Sequence, residues 1–243
     1  MNKYLLILSF FTIILFGSCS IYEDVYFYEN GSIKYQLSFD GSKLLEIPGM
    51  EKDLPTDSTL SIIDMIEEDS IVSEIDKSDL ENLSPLFISF KSDTVNNKLN
   101  ILLTGDFKDA ESLNKAFSSL NKTNDLKKSN PSEISGMPFG KNSFDALKLY
   151  SLYSWNKTTM SRTIDSTAND TSVEEPVDNL NTAIDQLLNE GKIVVRYHFP
   201  KKAVKISDPE ALITQDGKTV VVEYPIEHFT KPSEKMDILI SIE

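Results

Sequence analysis

Apolar and polar residues alternate on both sides of the pair Asn30-Gly31, a pattern that predicts two strands joined by a hairpin turn. Both residues of the pair tolerate the positive φ angles of a two-residue type I′ turn. If Glu29 pairs with Ser32 across this turn, one face of the hairpin is aromatic and is predicted to face the core. That face carries Tyr22, Tyr26, Tyr28, Ile33, Tyr35 and Phe39.

The same period of two residues predicts strands in five further parts of the chain. Three of them are hairpins, with turns at Asn96-Asn97, near Asn156 and at Asp216-Gly217, where Ile213 lies opposite Val220. The alternating apolar positions are Leu86, Ile88 and Phe90 with Leu99 to Thr104, then Leu147 to Ile164, Ile193 to Phe199, Ala211 to Val222, and Met236 to Ile242.

Apolar residues at helical spacing predict four helices between these strands. Three of the helices follow a residue that is suitable as an N-cap, and the last of them also precedes a glycine that is suitable as a C-cap. The helices are Leu60 to Ile66 after Asp57-Ser58, Leu80 to Leu83, Ala110 to Leu120 after Asp106, and Leu180 to Leu188 between Asp178-Asn179 and Gly191.

The order of these elements contains no βαβ phosphate loop and favours an α+β fold. We expect a mostly antiparallel, curved sheet that is built from hairpins, with a few helices packed on one face. Residues 121–142 and 165–178 are polar and lack an apolar period, so they are predicted to be long exposed loops within a single domain, 22–243.

The charge of the chain restricts its partners. The 243 residues include 38 acidic and 24 basic side chains, which give a formal net charge of −14. A surface of this sign repels phosphate backbones, so we expect no nucleic-acid partner.

The start of the chain has the features of a secretory signal peptide. Lys3 is followed by an apolar run, Tyr4 to Phe16, and by the small residues Gly17-Ser18. The run is shorter than the roughly 20 apolar residues of a membrane-spanning helix. Residues 1–18 are therefore predicted to be a cleaved signal peptide rather than an anchor helix.

Cys19 is the only cysteine of the chain and comes directly after the small residues. This arrangement resembles the bacterial lipobox, in which the cysteine thiol is acylated and becomes the mature N-terminus. Phe16 departs from the Leu or Val that is usual three places before that cysteine. We expect Cys19 to be lipidated and residues 19–21 to form a short tether; the alternative is a buried core cysteine.

Several segments together resemble a family of uncharacterised lipoproteins of Bacteroidota. A strand that ends in Phe-Pro and precedes a hairpin is also similar, more loosely, to LppM-like lipid-anchored domains. The segments are Asn30-Gly31-Ser32 with Tyr35, Phe107 to Leu120, Tyr197 to Lys202, and Asp216 to Val220. The resemblance implies an envelope location and, for the LppM-like domains, a curved sheet over helices with lipid binding.

The residues that are suited to catalysis or metal binding do not form a recognisable motif. His198 and His228 are the only histidines and are thirty positions apart, and no Gly-x-Ser-x-Gly elbow occurs. A Ser-His-Asp triad stays possible, because triads assemble in space. The acidic pairs, such as Glu23-Asp24, lack the spacing of a calcium loop and are interpreted as solvated faces. We predict no metal site, no cofactor and no enzymatic activity.

Four short Asp-Ser/Thr segments resemble the O-glycosylation signal of Bacteroidota envelope proteins. The candidate acceptors are Ser58, Ser70, Thr94 and Ser166, and Ser166 alone lies in an evident loop.

The sequence therefore predicts a lipid-anchored lipoprotein of the cell envelope, periplasmic or surface-facing, with the outer membrane favoured over the inner. Its folded part is expected to be a non-catalytic module that binds a lipid or an envelope protein. One alternative is a carrier that holds a lipid-like ligand between the sheet and the helix Leu180 to Leu188. The other is an unrecognised hydrolase, which a site that combines a histidine with a carboxylate and a serine would favour.

Overall fold

A computed structural model describes most of the chain after Cys19. The described residues are 20–42, 57–67, 70–93, 95–96, 98–129, 149–165, 191–225, 228 and 234–243. Cys19, the predicted helix Leu180 to Leu188, and the candidate acceptors Thr94 and Ser166 lie outside them.

The described residues form twelve strands, three α-helices and two short 3₁₀ helices. The strands are β1 Ser20–Phe27, β2 Ile33–Asp40, β3 Ser58–Ser61, β4 Leu86–Asp93, β5 Lys98–Phe107, β6 Ser151–Trp155, β7 Thr159–Ile164, β8 Lys192–His198, β9 Ala203–Ile206, β10 Leu212–Ile213, β11 Thr219–Pro225 and β12 Ile238–Ile242. The α-helices are α1 Ile62–Glu67, α2 Lys77–Leu83 and α3 Ala110–Ser129, and the 3₁₀ helices are Ser70–Glu74 and Glu234–Met236.

The strands form two sheets, where a single curved sheet was expected. The large sheet has the order β10-β11-β8-β1-β2-β5-β4-β3, and the small sheet has the order β6-β7-β12-β9. The pairing of β1 with β8 is parallel, and the other pairings of both sheets are antiparallel. The α+β class and the mostly antiparallel pairing are thus as predicted, but the division into two sheets is not.

The first hairpin is shifted by one residue from its predicted register. Tyr28 N–H donates to Ser32 O at 3.0 Å, and the turn therefore contains three residues, of which Gly31 has a φ of +95°. A shift of one residue moves a whole strand to the other face. Val25 and Phe27 are consequently buried, while the neighbouring tyrosines that were predicted to face the core lie on the open side.

One face of the large sheet is covered by helices and by the small sheet. The Tyr35 ring packs edge-on against Phe117 of α3, with ring centroids 4.8 Å apart. Phe27 packs against Trp155 of the small sheet at 5.2 Å and against Phe199 at 5.3 Å. The apolar residues on this face of the central strands therefore pack into a core between the two layers.

Helix α3 also supplies hydrogen bonds to the edge of the small sheet. The Asn114 side chain accepts from Tyr153 N–H at 2.8 Å and donates to Tyr153 O at 2.9 Å. The Asn121 side chain makes the same pair of bonds with the backbone of Leu149, at 3.1 and 3.0 Å. Two helical asparagines thus satisfy backbone groups of Tyr153 in β6 and of Leu149, two residues before β6, that would otherwise lack partners at this edge.

Two predicted helix starts are wrong. Asp106 lies in β5, and α3 is instead capped by Asp109, whose carboxylate accepts from Ser112 N–H at 2.8 Å. Leu60 lies in β3, and Ser61 caps α1 by accepting from Ile63 N–H at 3.2 Å.

The predicted loop and tether also differ from the structure where they are described. Helix α3 continues to Ser129, so the first nine residues of the predicted loop 121–142 are helical. Ser20 and Ile21, predicted to be part of a tether, are the first residues of β1. Among the helices in the described part of the chain, none is both long and apolar enough to cross a membrane.

Candidate functional site

Polar side chains converge on the open face of the large sheet, where β1, β8 and β11 lie side by side. The parallel register places Asp24 opposite Arg196, and the antiparallel register places Thr219 opposite His198. Since alternate residues of a strand share a face, Tyr26 lies on the same side. We call Asp24, Tyr26, Arg196, His198 and Thr219 the open-face cluster.

Asp24 is the centre of the open-face cluster. Arg196 Nε donates to Asp24 Oδ1 at 2.7 Å and Arg196 Nη2 donates to Asp24 Oδ2 at 2.5 Å, while His198 Nε2 lies 2.8 Å from Oδ1. Burial raises the pKa of Asp24, but the hydrogen bonds with His198 and Arg196 outweigh it and hold the pKa below its ordinary value. The carboxylate is therefore ionised and fully engaged within the cluster.

Aromatic rings support the charged groups. The His198 ring stacks on Tyr26 with centroids 4.2 Å apart and an angle of 8° between the planes. The Arg196 guanidinium lies over the exposed Tyr22 ring, 4.9 Å from its centroid. Such cation–π contacts hold an arginine side chain in one orientation.

The cluster contains a chain of carboxylate, imidazole and hydroxyl groups. His198 Nδ1 lies 3.1 Å from Thr219 Oγ1. If Nε2 donates a hydrogen bond to Asp24, then Nδ1 can accept one from the Thr219 hydroxyl. Catalytic triads have the same three groups in contact, but there Nδ1 donates to the carboxylate and Nε2 accepts from the hydroxyl. The sequence did not predict this contact, and the hydroxyl belongs to a threonine rather than to a serine.

Three cavities that are bordered by described residues lie away from the open-face cluster. An open groove of about 300 Å³ borders Asp40 and Leu99, and another of about 450 Å³ borders Asp79 and Leu126. A void of about 10 Å³, room for one water at most, lies beside Glu23. None of these three is lined by a member of the open-face cluster.

A second polar cluster is buried between the two sheets. Arg162 Nη2 donates to Glu23 Oε2 at 3.0 Å, and the Tyr153 hydroxyl donates to Glu23 Oε1 at 2.6 Å. Arg162 also donates to Ser151 Oγ at 2.8 Å and to the Tyr197 hydroxyl at 3.2 Å. Both charged side chains are only 2% exposed. The interpretation of Glu23-Asp24 as a solvated face is therefore wrong.

The protonation states of this buried cluster follow from its contacts. Burial lowers the pKa of Arg162, but the Glu23 carboxylate outweighs it and keeps the pKa well above its ordinary value. Burial raises the pKa of Tyr197 to about 12, although the Arg162 charge opposes the change. The guanidinium is thus charged and donates to the oxygen of a phenol that keeps its proton.

The two histidines lie on opposite sides of the large sheet. His198 is on the open face, whereas His228 borders the small void beside Glu23 and Arg162. Within the described residues, no group of three His, Cys, Asp or Glu side chains is placed to hold a metal ion.

Two candidate glycosylation acceptors lie within the described residues. Ser58 is in β3, and its hydroxyl oxygen is buried, so it is inaccessible in the folded protein. Ser70 begins the first 3₁₀ helix.

The chain matches no protein-family model, and no curated protein matches it with significance. Among solved structures, the NMR structure of the folded domain of LppM from Mycobacterium tuberculosis is similar, with 6% sequence identity and a TM-score of 0.42 over 93% of this chain and 90% of that one. A likeness of this strength carries no argument about fold or function. Membership of a Bacteroidota lipoprotein family therefore stays a prediction.

Proposed function

We propose that this chain is a lipid-anchored lipoprotein of the cell envelope, and that its folded part is a non-catalytic binding or envelope-interaction module. The observation that carries the proposal is the N-terminal sequence, in which the apolar run Tyr4 to Phe16 and two small residues precede Cys19. Two acyl chains on one cysteine are sufficient for stable membrane attachment. The outer membrane is favoured over the inner, and the domain faces the periplasm or the surface.

The contacts of the open-face cluster support the non-catalytic part of the proposal. Both carboxylate oxygens of Asp24 and both ring nitrogens of His198 are engaged by neighbours on adjacent strands. A hydrolase also needs a recess and donors for the developing oxyanion, whereas this cluster is on an open sheet face. The cluster therefore acts as a set of cross-strand contacts.

The packing of the core supports a module without an internal ligand. The carrier hypothesis places a lipid against the sheet, next to a helix that lies outside the described residues. The central strands are instead covered by α3 and by the small sheet, with Tyr35 and Phe27 in ring contact with those layers. These ring contacts support a filled core at Tyr35 and Phe27 rather than a cavity for an acyl chain.

Complementation of a deletion strain tests both parts of the proposal. We expect Cys19→Ser to prevent lipidation, so that the protein leaves the membrane fraction or stays unprocessed, and to abolish complementation. We expect His198→Phe, which keeps an aromatic ring to stack on Tyr26, to complement as wild type does. Fractionation, intact mass and the phenotype are measured at matched protein levels.

Either arm can contradict the proposal. A Cys19→Ser protein that is processed and fractionates like wild type excludes the lipid anchor. A His198→Phe protein with normal abundance and melting temperature but no function favours the hydrolase.

A further inference from the structure

We infer that one end of the large sheet is held against the bilayer, with the turn that carries Val95 in contact with lipid headgroups. The inference rests on the proposed lipidation of Cys19 and goes beyond it, because it assigns a membrane-facing surface to the folded domain. We call this surface the anchor end; Ser20, Asp40, Asp93, Lys98 and Lys192 lie there, at the limits of their strands.

No linker residues separate Cys19 from the first strand of the large sheet. β1 begins at Ser20, so the proposed lipid-bearing residue is one peptide unit, about 3.8 Å between Cα atoms, from an ordered strand. Ser20 pairs with Lys192, and Ile21 pairs with both Ile193 and Phe39. A flexible tether would let the domain tumble, whereas a central strand fixes the direction in which the domain leaves the membrane.

The register of the neighbouring strands shows which turns lie at the same end of the sheet as Ser20. β8 starts beside Ser20, while β2, antiparallel to β1, ends at Asp40. Asp40 pairs with Asn100 of β5, and Asn100 pairs with Lys91 of β4. The turn between β4 and β5 therefore projects from the same end of the sheet as the proposed anchor.

An exposed apolar residue, Val95, lies at the tip of this turn. Asp93 pairs with Lys98, two residues beyond the level of Lys91, so the tip lies roughly 7 Å or more further toward the membrane. The Asp93 carboxylate accepts from Val95 N–H and from Asn96 N–H, both at 3.1 Å. These two bonds hold the backbone of Val95 and Asn96, and the Val95 side chain is 91% exposed. A bilayer interface would accept such a group.

The opposite end of the molecule provides a matched comparison. Val204 of β9 is also exposed, at 62%, and follows Ala203, whose N–H donates to Gly217 O at 2.9 Å. Gly217 is in the turn between β10 and β11, at the end of the sheet where β1 finishes. The eight residues of β1 span roughly 25 Å, which separates the two ends. Val204 should therefore be far from the lipid.

Site-directed fluorescence tests the orientation. Because the chain has one cysteine, acylation of Cys19 leaves Val95→Cys and Val204→Cys each with a single free thiol. Each lipidated variant is labelled with a small fluorophore and reconstituted into phosphatidylethanolamine–phosphatidylglycerol vesicles, with or without brominated acyl chains. We expect bromine to quench the Val95→Cys label several-fold more strongly than the Val204→Cys label.

Wild-type protein separates failure of this inference from failure of the proposed lipidation. A wild-type protein that takes up the thiol label has a free Cys19 and contradicts lipidation itself. If wild type does not label, equal quenching at both positions shows that the domain tumbles and overturns the inference. Stronger quenching at Val204→Cys overturns it as well.

Discussion

At the residue scale, a buried ion pair links the two sheets. Glu23 of the large sheet and Arg162 of the small sheet are both almost completely buried and bonded to each other. A buried charge is tolerated only when it is paired and hydrogen-bonded. The pair thus fixes how the two sheets meet, because sliding one sheet against the other would separate the charges.

Arg162→Met should be strongly destabilising, since it leaves the Glu23 carboxylate buried without its partner charge. We expect a loss of about 3–5 kcal/mol in the free energy of unfolding, measured by urea denaturation. The double variant Glu23→Gln/Arg162→Met should recover much of this loss, because glutamine is neutral and its carbonyl still accepts from the Tyr153 hydroxyl.

The matched control is Lys192→Met, which removes the partner of Glu223 in an exposed ion pair. Its cost should be about 0–1 kcal/mol. An Arg162→Met variant no less stable than this control would show that the buried pair does not hold the sheets together.

At the scale of elements, α3 acts as a substitute neighbour for strand β6. Asn114 and Asn121 are seven residues apart, so both project from one side of the helix, about 10 Å apart along its axis. Their partners, Tyr153 and Leu149, are four residues apart, about 13 Å in a strand. The distance between the two asparagines is close to the distance between their two partners. Their side-chain amides can therefore make the hydrogen bonds that a neighbouring strand would make.

Asn114→Ala should weaken the edge of the small sheet. It leaves the N–H and C=O groups of Tyr153 without partners, at a cost of about 1–3 kcal/mol for each group that stays buried. Urea denaturation measures the global loss, and hydrogen exchange should show faster exchange of the Tyr153 amide. Lys115→Ala, in which an exposed residue of the same helix changes, should alter neither. Unchanged protection of Tyr153 in Asn114→Ala would contradict the substitute-neighbour role.

On the scale of the whole molecule, each sheet combines strands from both halves of the chain. β1 pairs with β8, and β7 pairs with β12, so strands from both halves of the chain share each sheet. Neither half has a complete sheet without the other. This arrangement supports the prediction that 22–243 is a single domain.

Cleavage within the predicted loop 165–178 should therefore leave one folded particle. A protease site introduced there would separate β1–β7 from β8–β12, and we expect the two fragments to coelute in size-exclusion chromatography until urea unfolds them together. The uncut protein with the same insertion is the control. Fragments that elute separately and stay folded would instead establish two domains.

The two hairpins show what local sequence can and cannot predict. Asp216-Gly217 was assigned the correct register, with Ile213 opposite Val220. In both dipeptides only the glycine adopts a positive φ, yet the register at Asn30-Gly31 is shifted by one residue. The dipeptide favours a turn in both cases, but the packing of Val25 and Phe27 against the second layer decides which residues pair.

The buried polar residues were beyond sequence reasoning for a related reason. Glu23 and Asp24 are adjacent acids that alternation places on opposite faces, and each is buried by a partner more than a hundred residues away. The end of α3 was missed because Asn121 and Lys122 carry no apolar signal. Their side chains bond to Leu149 and Asp79 instead.

Local patterns alone determined the strands other than β3 and β9, the helix stripe of α3 and the expectation of a lipid anchor, because period, turn chemistry and a signal segment are properties of neighbouring residues. Tertiary structure decided the division into two sheets, the parallel pairing of β1 with β8, and the convergence of Asp24, Arg196 and His198. These features depend on contacts between segments that are distant in the sequence. A pattern of neighbouring residues does not show which distant segments will be in contact, so it cannot predict these features.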